Sequence, residues 1–212
     1  MKKIISQATI DRLPLYFRTL RLVEEEDTQI ISSDELGRRL DITPEQIRKD
    51  LATFGQFGRK GIGYDVHELK NKIGNILGLH NNWRLAIVGV GHLGGALANY
   101  VNFASLGFSV VALFDKNREI IGGAVNGIKI NSSTHMKRII ADKAVDIGVI
   151  TVPASEAQGV ADKLVAAGVK GIWNFAPTKL NVPPNIPLVN EDLSIGLSAL
   201  SYHMSQELFG GL

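Results

Sequence analysis

One short glycine-rich segment constrains the fold of this chain more than any other feature. It reads Gly89-Val-Gly91-His-Leu-Gly94, follows the strand-like apolar run 83–88 and leads into a run of small residues. In that setting the pattern predicts the first strand–turn–helix unit of a dinucleotide-binding α/β domain. Gly89 allows the tight turn, Gly91 lets the backbone approach a pyrophosphate, and Gly94 lets the helix lie close to the strand. A glycine turn that binds nothing is the alternative.

An acidic residue stands where such a domain needs one. Asp115 ends the next apolar run, 108–114, about 20 residues beyond the glycines. We expect its carboxylate to accept both hydroxyls of an adenosine ribose, which favours NAD(H) because the 2′-phosphate of NADP(H) would meet a like charge. Lys116 and Arg118 weaken that argument modestly. The predicted cofactor-binding residues of this region are Gly89, Val90, Gly91, His92, Leu93, Gly94, Asp115 and Lys116.

Two later apolar runs, 145–152 and 169–175, predict further strands, with a helix over 155–167 between them. Both runs end in proline-containing turns. Ligands of open α/β sheets bind beyond the carboxyl ends of the strands, so these turns are expected to line the nicotinamide half of the site. The residues that we assign there are Val152, Pro153 and Phe175, with simple packing as the alternative role for the last two.

The N-terminal region predicts a helix-turn-helix. A first helix is expected over 14–23, with Pro14 in its first turn. Ser32 to Glu35 and Thr43 to Gln46 each form a capping box, in which the hydroxyl caps a backbone amide and the longer side chain reaches back. Two short capped helices joined by a tight turn at 41–42 make the motif.

The second helix of the motif is the one expected to read DNA. With Ile47, Leu51 and Phe54 buried, its outer face presents Gln46, Arg48, Lys49 and Thr53. Arginine can pair with guanine and glutamine with adenine, whereas lysine suits phosphates. A merely solvated helix face is the alternative.

A basic wing is expected directly after this helix. Four glycines in the segment 55–64 surround Arg59 and Lys60, which predicts a hairpin with a slim, basic tip. Such a tip can follow the phosphate backbone or enter the minor groove, and an ordinary hairpin is the alternative. The predicted DNA-binding residues are Gln46, Arg48, Lys49, Arg59, Lys60 and Gly61. A further helix over 66–79 would close this domain, with a boundary at 80–82.

Composition narrows the functional classes. The 212 residues suit one large or two small domains, and the absence of cysteine excludes thiol redox chemistry and cysteine-bound metals. The five histidines show no metal-ligand spacing. The net charge of +2 gives no global argument for nucleic acid. No apolar run approaches the ~18 residues of a membrane span, and no signal peptide is evident, so we expect a cytoplasmic protein without a membrane partner.

The end of the chain predicts a long apolar helix over 190–209. Leu193, Leu197, Leu200, Met204 and Leu208 form one stripe on it. Proteins with a helix-turn-helix usually dimerise to span two half-sites, and this helix is the expected dimer element. Packing on its own domain is the alternative. Too few residues follow the predicted sheet to form a substrate domain, which argues against a dehydrogenase.

Together these motifs resemble the Rex family of redox-sensing transcriptional repressors over nearly the whole chain. The segments that carry the resemblance are 13–18, 46–51, 58–64, 89–94, 151–153, 174–177 and 190–192. The resemblance implies a homodimer with winged-helix heads, Rossmann-like NAD(H) domains and exchanged C-terminal helices. It also implies that the dimer binds operator DNA when NADH is scarce and releases it when NADH binds.

The resemblance further implies a switch. Arg18 and Asp192 match a salt bridge of the DNA-competent state, and Tyr100 matches the alternative partner of Asp192 once NADH is bound. The chain departs from the family pattern at Leu193, where an aromatic residue can lie beside the nicotinamide. Leucine at this position offers no aromatic ring to stack on the nicotinamide.

The sequence therefore predicts an α/β protein with three parts: a winged helix-turn-helix domain at 1–80, a Rossmann-like domain at 83–190 and a dimerisation helix at 191–212. The predicted function is an NADH-responsive repressor that binds a palindromic operator as a dimer, with no catalytic residues. One alternative is a small NAD-dependent oxidoreductase with an accessory head. Another is a regulator that senses a different nucleotide through the same fold.

Overall fold

The computed structural model describes residues 5–59 and 61–209, and side chains in this range up to residue 205. The chain divides into two compact units at Asn81 and Asn82. The first unit is mostly helical, and the second is built on a parallel sheet. Among the described residues, no helix is long and apolar enough to cross a membrane.

The N-terminal unit is a small bundle of helices with a two-stranded sheet. In chain order its elements are α1 (Gln7–Glu25), β1 (Ile30–Ile31), α2 (Ser33–Leu40), α3 (Pro44–Phe54), β2 (Tyr64–Asp65) and α4 (Val66–Ile76). β1 and β2 pair antiparallel. One apolar face from each helix forms the core, and its fully buried members include Leu13, Tyr16, Leu20, Leu36, Ile47, Leu51, Leu69 and Ile73.

The first helix begins earlier than predicted. α1 begins at Gln7, where the Ser6 side chain caps the amide of Thr9, so Pro14 lies inside the helix and not in its first turn. Proline inside a helix removes one backbone hydrogen bond. Pro14 is on the exposed side, where water can satisfy the unpaired carbonyl one turn earlier. The free energy gained by burying the apolar face of α1 outweighs the loss of this one hydrogen bond.

In both capping boxes of the helix-turn-helix, the hydroxyl caps the backbone amide, but the longer side chain does not reach back. Ser32 Oγ accepts from the amide of Glu35 at 3.0 Å, and Thr43 Oγ1 accepts from the amide of Gln46 at 3.3 Å. The predicted return contacts are wrong. The Glu35 carboxylate binds Arg38 and Arg39 because arginines one turn along the helix attract it more strongly than a neutral amide.

The C-terminal unit alternates strands and helices. In chain order its elements are β3 (Trp83–Val88), α5 (His92–Ala98), α6 (Asn102–Ser105), β4 (Phe108–Asp115), β5 (Ala124–Val125), β6 (Ile128–Ser132), α7 (Met136–Asp142), β7 (Ile147–Ile150), α8 (Ala154–Ala166), β8 (Gly171–Asn174), β9 (Leu188–Asn190) and α9 (Leu193–Phe209). Within the described residues, seven strands form one sheet in the order β5-β6-β4-β3-β7-β8-β9. All neighbours in it are parallel except β5 and β6.

The order of the strands sets the position of the ligand site. The chain runs outward from β3 through β4 to β6, then returns to β7 on the other side of β3 and continues to β8 and β9. This is the doubly wound Rossmann order, and its reversal point lies between β3 and β7. Separate apolar clusters cover the two faces of the sheet. Ligands are therefore expected beyond the carboxyl ends of β3 and β7.

Several element boundaries differ from the predictions. The strands predicted over 145–152 and 169–175 are confined to β7 and β8, and β6, β9 and α7 were not predicted. The terminal helix begins at Leu193 because Asn190 pairs with Asn174 in the sheet. α4 ends at Ile76, and Gly78 follows with a positive φ of 70°.

Candidate cofactor cleft and DNA-contacting surface

The glycine-rich loop between β3 and α5 packs closely against neighbouring backbone at two of its three glycines. Gly89 has a φ of +97°, and a Cβ there would lie 2.7 Å from the carbonyl oxygen of Thr151. A Cβ on Gly94 would lie 1.9 Å from the carbonyl oxygen of Gly89. Gly91 faces open space, with no atom within 4 Å of the position of a Cβ. Two glycines thus permit the close packing, and the third leaves room for a ligand.

Asp115 fastens this loop to the end of β4. Its Oδ2 accepts a hydrogen bond from the amide of Val90 at 2.6 Å, and its Oδ1 accepts from the amide of Asn117 at 2.8 Å. A carboxylate has about four acceptor positions, so it can still receive ribose hydroxyls. Asp115, the predicted ribose ligand, therefore also holds the glycine-rich loop in place.

The hydroxyl of Thr151 supports the same turn from β7. Thr151 Oγ1 lies within hydrogen-bond distance of two backbone carbonyl oxygens, that of Val88 at 3.1 Å and that of Gly89 at 2.7 Å, and donates its proton to them. The turn after β3 is therefore held from both neighbouring strands. A rigid turn is what a phosphate-binding loop requires.

A cleft of about 470 Å³ opens beyond the carboxyl ends of β3 and β7. Six of the predicted cofactor residues line it: Gly89, Gly91, Asp115, Lys116, Val152 and Pro153. Val90, His92, Leu93 and Gly94 belong to the loop or the start of α5 but do not line the cleft. Eight further lining residues were not predicted: Val88, Ser133, Thr151, Ser155, Glu156, Gly159, Val160 and Lys163.

The missed residues carry a signal that could have revealed half of them. Glu156, Gly159, Val160 and Lys163 recur at spacings of three and four, which places them on one face of α8. Because α8 directly follows β7, its first turns must border the carboxyl edge of the sheet. The helical period combined with the strand order points to that face.

Phe175 lies in a different environment from the rest of the predicted set. It does not line this cleft, and its ring packs against Trp173 with ring centres 4.5 Å apart. Trp173 in turn contacts Phe103, and Phe103 contacts Tyr100 at 5.0 Å. A row of aromatic rings therefore runs from Phe175 to Tyr100. The assignment of Phe175 to the nicotinamide half stays a prediction.

The predicted reading helix has the expected inner face, and two of its four predicted outer residues are exposed. Ile47 and Leu51 are buried and Phe54 is half-buried, whereas Arg48 and Lys49 are exposed. Arg48 donates to Ser33 Oγ at 2.7 Å and to Glu45 Oε1 at 3.0 Å. The guanidinium of Arg48 is thus already oriented by α2 and by its own helix.

The placement of Gln46 on the free outer face is wrong. Its side-chain amide donates to Oδ1 of Asp50 at 2.8 Å, and the residue is half-buried. Asp50, one turn along α3, is 1% exposed and needs donors to offset its desolvation. The amide of Gln46 supplies one of them, so it is engaged inside the unit.

Asp50 links the reading helix to α1. Its carboxylate accepts from Arg12 Nε at 2.6 Å, from Tyr16 Oη at 2.7 Å and from Thr9 Oγ1 at 3.1 Å. Burial alone raises the pKa of Asp50, but these hydrogen bonds and that of Gln46 outweigh it and hold the pKa at about 2. Burial and the bond to Asp50 raise the pKa of Tyr16. The buried ion pair therefore fixes how α3 sits on α1.

The predicted wing is a short hairpin. Arg59 and Gly63 exchange backbone hydrogen bonds of 3.0 and 3.1 Å. Arg59 and Gly61 are exposed, and Lys60 lies outside the described residues. A cleft of about 470 Å³ lies beside the hairpin, with Ser33, Arg48, Arg59 and Gly61 among its lining residues. Arg48 and Arg59 thus border one concave surface.

The three predicted switch residues are all accessible. Arg18 is exposed on α1, and Tyr100 is 50% exposed. Asp192 caps the start of α9 by accepting from the amide of Ser194 at 2.9 Å and from its hydroxyl at 2.6 Å. These bonds lower the pKa of Asp192. Arg18 belongs to the first unit and the other two to the second, so their exchange of partners stays a prediction.

α9 exposes apolar side chains around its circumference. Leu193, Ile195, Leu197, Leu200, Tyr202 and Met204 are each at least 55% exposed. The side chain of Leu208 lies outside the described range. Packing of this helix on its own unit, the alternative of the sequence analysis, is therefore wrong for the described side chains.

Comparisons with known proteins agree with both units. Residues 4–52 match the model of a family described as putative DNA-binding protein N-terminus, and residues 80–178 match the CoA binding domain model. The redox-sensing transcriptional repressor Rex of Syntrophobacter fumaroxidans is 46% identical over 95% of this chain and 96% of its own length.

Solved structures extend the match to three dimensions. The crystal structure of RSP in complex with β-NAD⁺ and operator DNA has a TM-score of 0.91 and 41% identity, covering 98% of this chain and 96% of that one. The structure of RSP in complex with β-NADH has a TM-score of 0.89 and 40% identity, with 98% of both chains covered.

Proposed function

Because the chain belongs to the Rex family of redox-sensing transcriptional repressors, we propose that it represses transcription by binding operator DNA and that NADH releases it from that DNA. The observation that carries the proposal is the cleft at the reversal point of the sheet, bordered by the glycine-rich loop and Asp115. The same chain also contains a capped helix-turn-helix, so one protein carries both a dinucleotide cleft and a DNA-binding motif. The relatives that match it over nearly full length are regulators, which argues against the oxidoreductase alternative.

We assign the adenosine half of the dinucleotide to the cleft. The open space at Gly91 suits the pyrophosphate, and the free acceptor positions of Asp115 suit the ribose hydroxyls. The nicotinamide half is assigned to the turn after β8, where the ring of Phe175 packs against that of Trp173. An apolar environment there favours the neutral ring of NADH over the charged ring of NAD⁺.

We assign DNA contact to the outer face of α3 and to the wing. Arg48 is oriented by Ser33 towards the cleft beside the wing, Lys49 is exposed next to it, and Arg59 borders the same cleft. This arrangement supports Arg48 for a base edge or a nearby phosphate, and Lys49 and Arg59 for phosphates. Gln46 is assigned to positioning, because its amide is committed to Asp50.

A homodimer follows from the same proposal. A helix-turn-helix protein reads a palindromic operator with two copies, one for each half-site. The exposed apolar helix α9 is the surface that a second copy would bury. Because operator DNA of a bacterium lies in the cytoplasm, we place the protein there.

The function is tested by binding to a pool of random duplex DNA at fixed salt, with and without NADH. We expect enrichment of one palindrome, which NADH releases and NAD⁺ does not. CoA is the matched control ligand, because the second unit matches the CoA binding domain model. Release by CoA and not by NADH would assign the site to a different nucleotide, and absence of any enriched sequence would overturn the repressor function.

A further inference from the structure

Four charged side chains line the adenosine cleft, and two of them form an ion pair across it. Asp115, Lys116, Glu156 and Lys163 all border the cleft. Lys116 Nζ lies 2.5 Å from Glu156 Oε1, which joins the end of β4 to the first turn of α8. The pair connects residues 40 positions apart in the chain. It is the tertiary structure that brings these two charges together.

Lys116 is in a position that matters for cofactor choice. In dinucleotide-binding folds the acidic residue at the end of the second strand accepts the 2′-hydroxyl of NAD(H), and a cation close to it accommodates the 2′-phosphate of NADP(H). This chain has both, because Lys116 directly follows Asp115. Asp115 alone therefore does not account for a preference for NADH.

We propose that Glu156 is a specificity-determining residue, which pairs with Lys116 and so makes the cleft reject the 2′-phosphate of NADPH. The inference rests on the proposed function, because it concerns the choice of dinucleotide at that site. Glu156 disfavours binding of the 2′-phosphate in two ways. It pairs with Lys116, the cation that directly follows Asp115, and it places a second carboxylate at the cleft, where a phosphate dianion is repelled.

The environment of the pair sets the size of the effect. The side chains of Lys116 and Glu156 are 71% and 32% exposed, so water and salt screen their attraction. A 2′-phosphate can therefore compete for Lys116 once Glu156 no longer holds a charge. We expect the ratio of the NADPH to the NADH dissociation constant to fall by about tenfold, which corresponds to about 1.4 kcal/mol.

The test compares Glu156→Gln with the parent chain by calorimetric titration of NADH and NADPH at low salt. The matched control is Asp162→Asn, which removes one negative charge from an exposed position of α8 that does not line the cleft. We expect the ratio of dissociation constants to fall in Glu156→Gln and to stay unchanged in Asp162→Asn. An equal fall in both variants would reduce the effect to net charge and overturn the proposal.

A double variant separates the role of Lys116 from that of other cations. In Glu156→Gln combined with Lys116→Ala, the gain in NADPH binding is expected to disappear. Persistence of the gain would assign it to another cation such as Lys163, and the pairing of Glu156 with Lys116 would be refuted. If the parent chain bound neither dinucleotide, the proposed function itself would fail. If it bound NADH normally and the ratio stayed constant in Glu156→Gln, only the present inference would fail.

Discussion

At the scale of single residues, two positions show how a side chain's surroundings decide its role. Asp50 is a charged residue on the helix proposed to contact DNA, yet it is 1% exposed and accepts hydrogen bonds from α1. Gly94 has no side chain, and any Cβ there would collide with the Gly89 carbonyl. Asp50 therefore acts by holding α3 on α1, and Gly94 by letting α5 lie close to the turn after β3.

The low pKa of Asp50 predicts an acid-dependent stability. The carboxyl titrates near 3.8 when unfolded and near 2 when folded, so the folded state favours the carboxylate. Its contribution of about 2 kcal/mol is complete above pH ~4 and is lost as the pH falls towards 2. We expect Asp50→Asn to lower the melting temperature at pH 6, with the gap to the parent chain narrowing at pH 2. A gap that is independent of pH over this range would contradict the assignment.

Adjacent glycines give a matched pair of substitutions in α5. Gly94→Ala places a methyl group 1.9 Å from the Gly89 carbonyl oxygen, which must displace the phosphate-binding loop. Gly95→Ala meets no atom within 4 Å and lies in the same helix, where alanine is favoured by up to about 1 kcal/mol. We expect Gly94→Ala to weaken NADH binding at least tenfold, and Gly95→Ala to bind NADH as the parent does. Titration of both variants with NADH checks this, and equal affinities would exclude tight packing at Gly94 as a requirement.

At the scale of elements, α3 combines an anchored face with an accessible one. The anchored face carries Ile47, Leu51 and the Asp50 ion pair, so the orientation of the helix on α1 is fixed. The accessible face carries Arg48 and Lys49, with the wing beside it. If α3 contacts DNA as proposed, its cations lose little conformational freedom on binding, because the helix is already fixed on α1.

The accessible face predicts separable effects on DNA and cofactor binding. Arg48→Ala is expected to weaken operator binding by about 1–3 kcal/mol, or roughly 5- to 150-fold, with NADH affinity unchanged. Lys137→Ala on α7 is the control, because it removes the same charge from an exposed site in the other unit. Gel-shift titrations at several salt concentrations report the result. A smaller salt slope with unchanged sequence preference would identify a phosphate contact, and unchanged affinity would remove Arg48 from the DNA surface.

At the scale of the whole molecule, the two units divide the proposed tasks, and α9 is the proposed contact between two copies. Each unit has its own apolar core, so each contributes a stable surface of its own. The described leucines of α9 are exposed together on one helix, and a contiguous apolar surface of this kind is typical of a protein–protein contact. Under the proposed function, NADH bound to the second unit lowers DNA affinity of the first by favouring one arrangement of the dimer.

The role of α9 predicts a change in oligomeric state. Leu197→Glu combined with Leu200→Glu is expected to give a monomer with operator affinity lowered at least tenfold, because charges cannot be buried unpaired in an apolar interface. Leu197→Met combined with Leu200→Met keeps the apolar area and is expected to stay dimeric. Sedimentation velocity measures the mass of each variant. A double glutamate variant that sediments as the parent does would show that α9 is not the dimer contact.

Local chemistry made much of this protein predictable from its sequence. The G-x-G-x-x-G spacing, the acid at position 115 and the capped helices at Ser32 and Thr43 are short-range patterns, and each specifies its own turn or helix end. Roles that depend on distant partners were decided by the tertiary structure. The role of Gln46 depends on Asp50, which is buried between two helices. The role of Lys116 depends on Glu156, which lies on another element. The physical reason is that hydrogen bonds and ion pairs form with whatever the fold brings within about 3 Å. Sequence spacing shows such neighbours only within a turn or a helix.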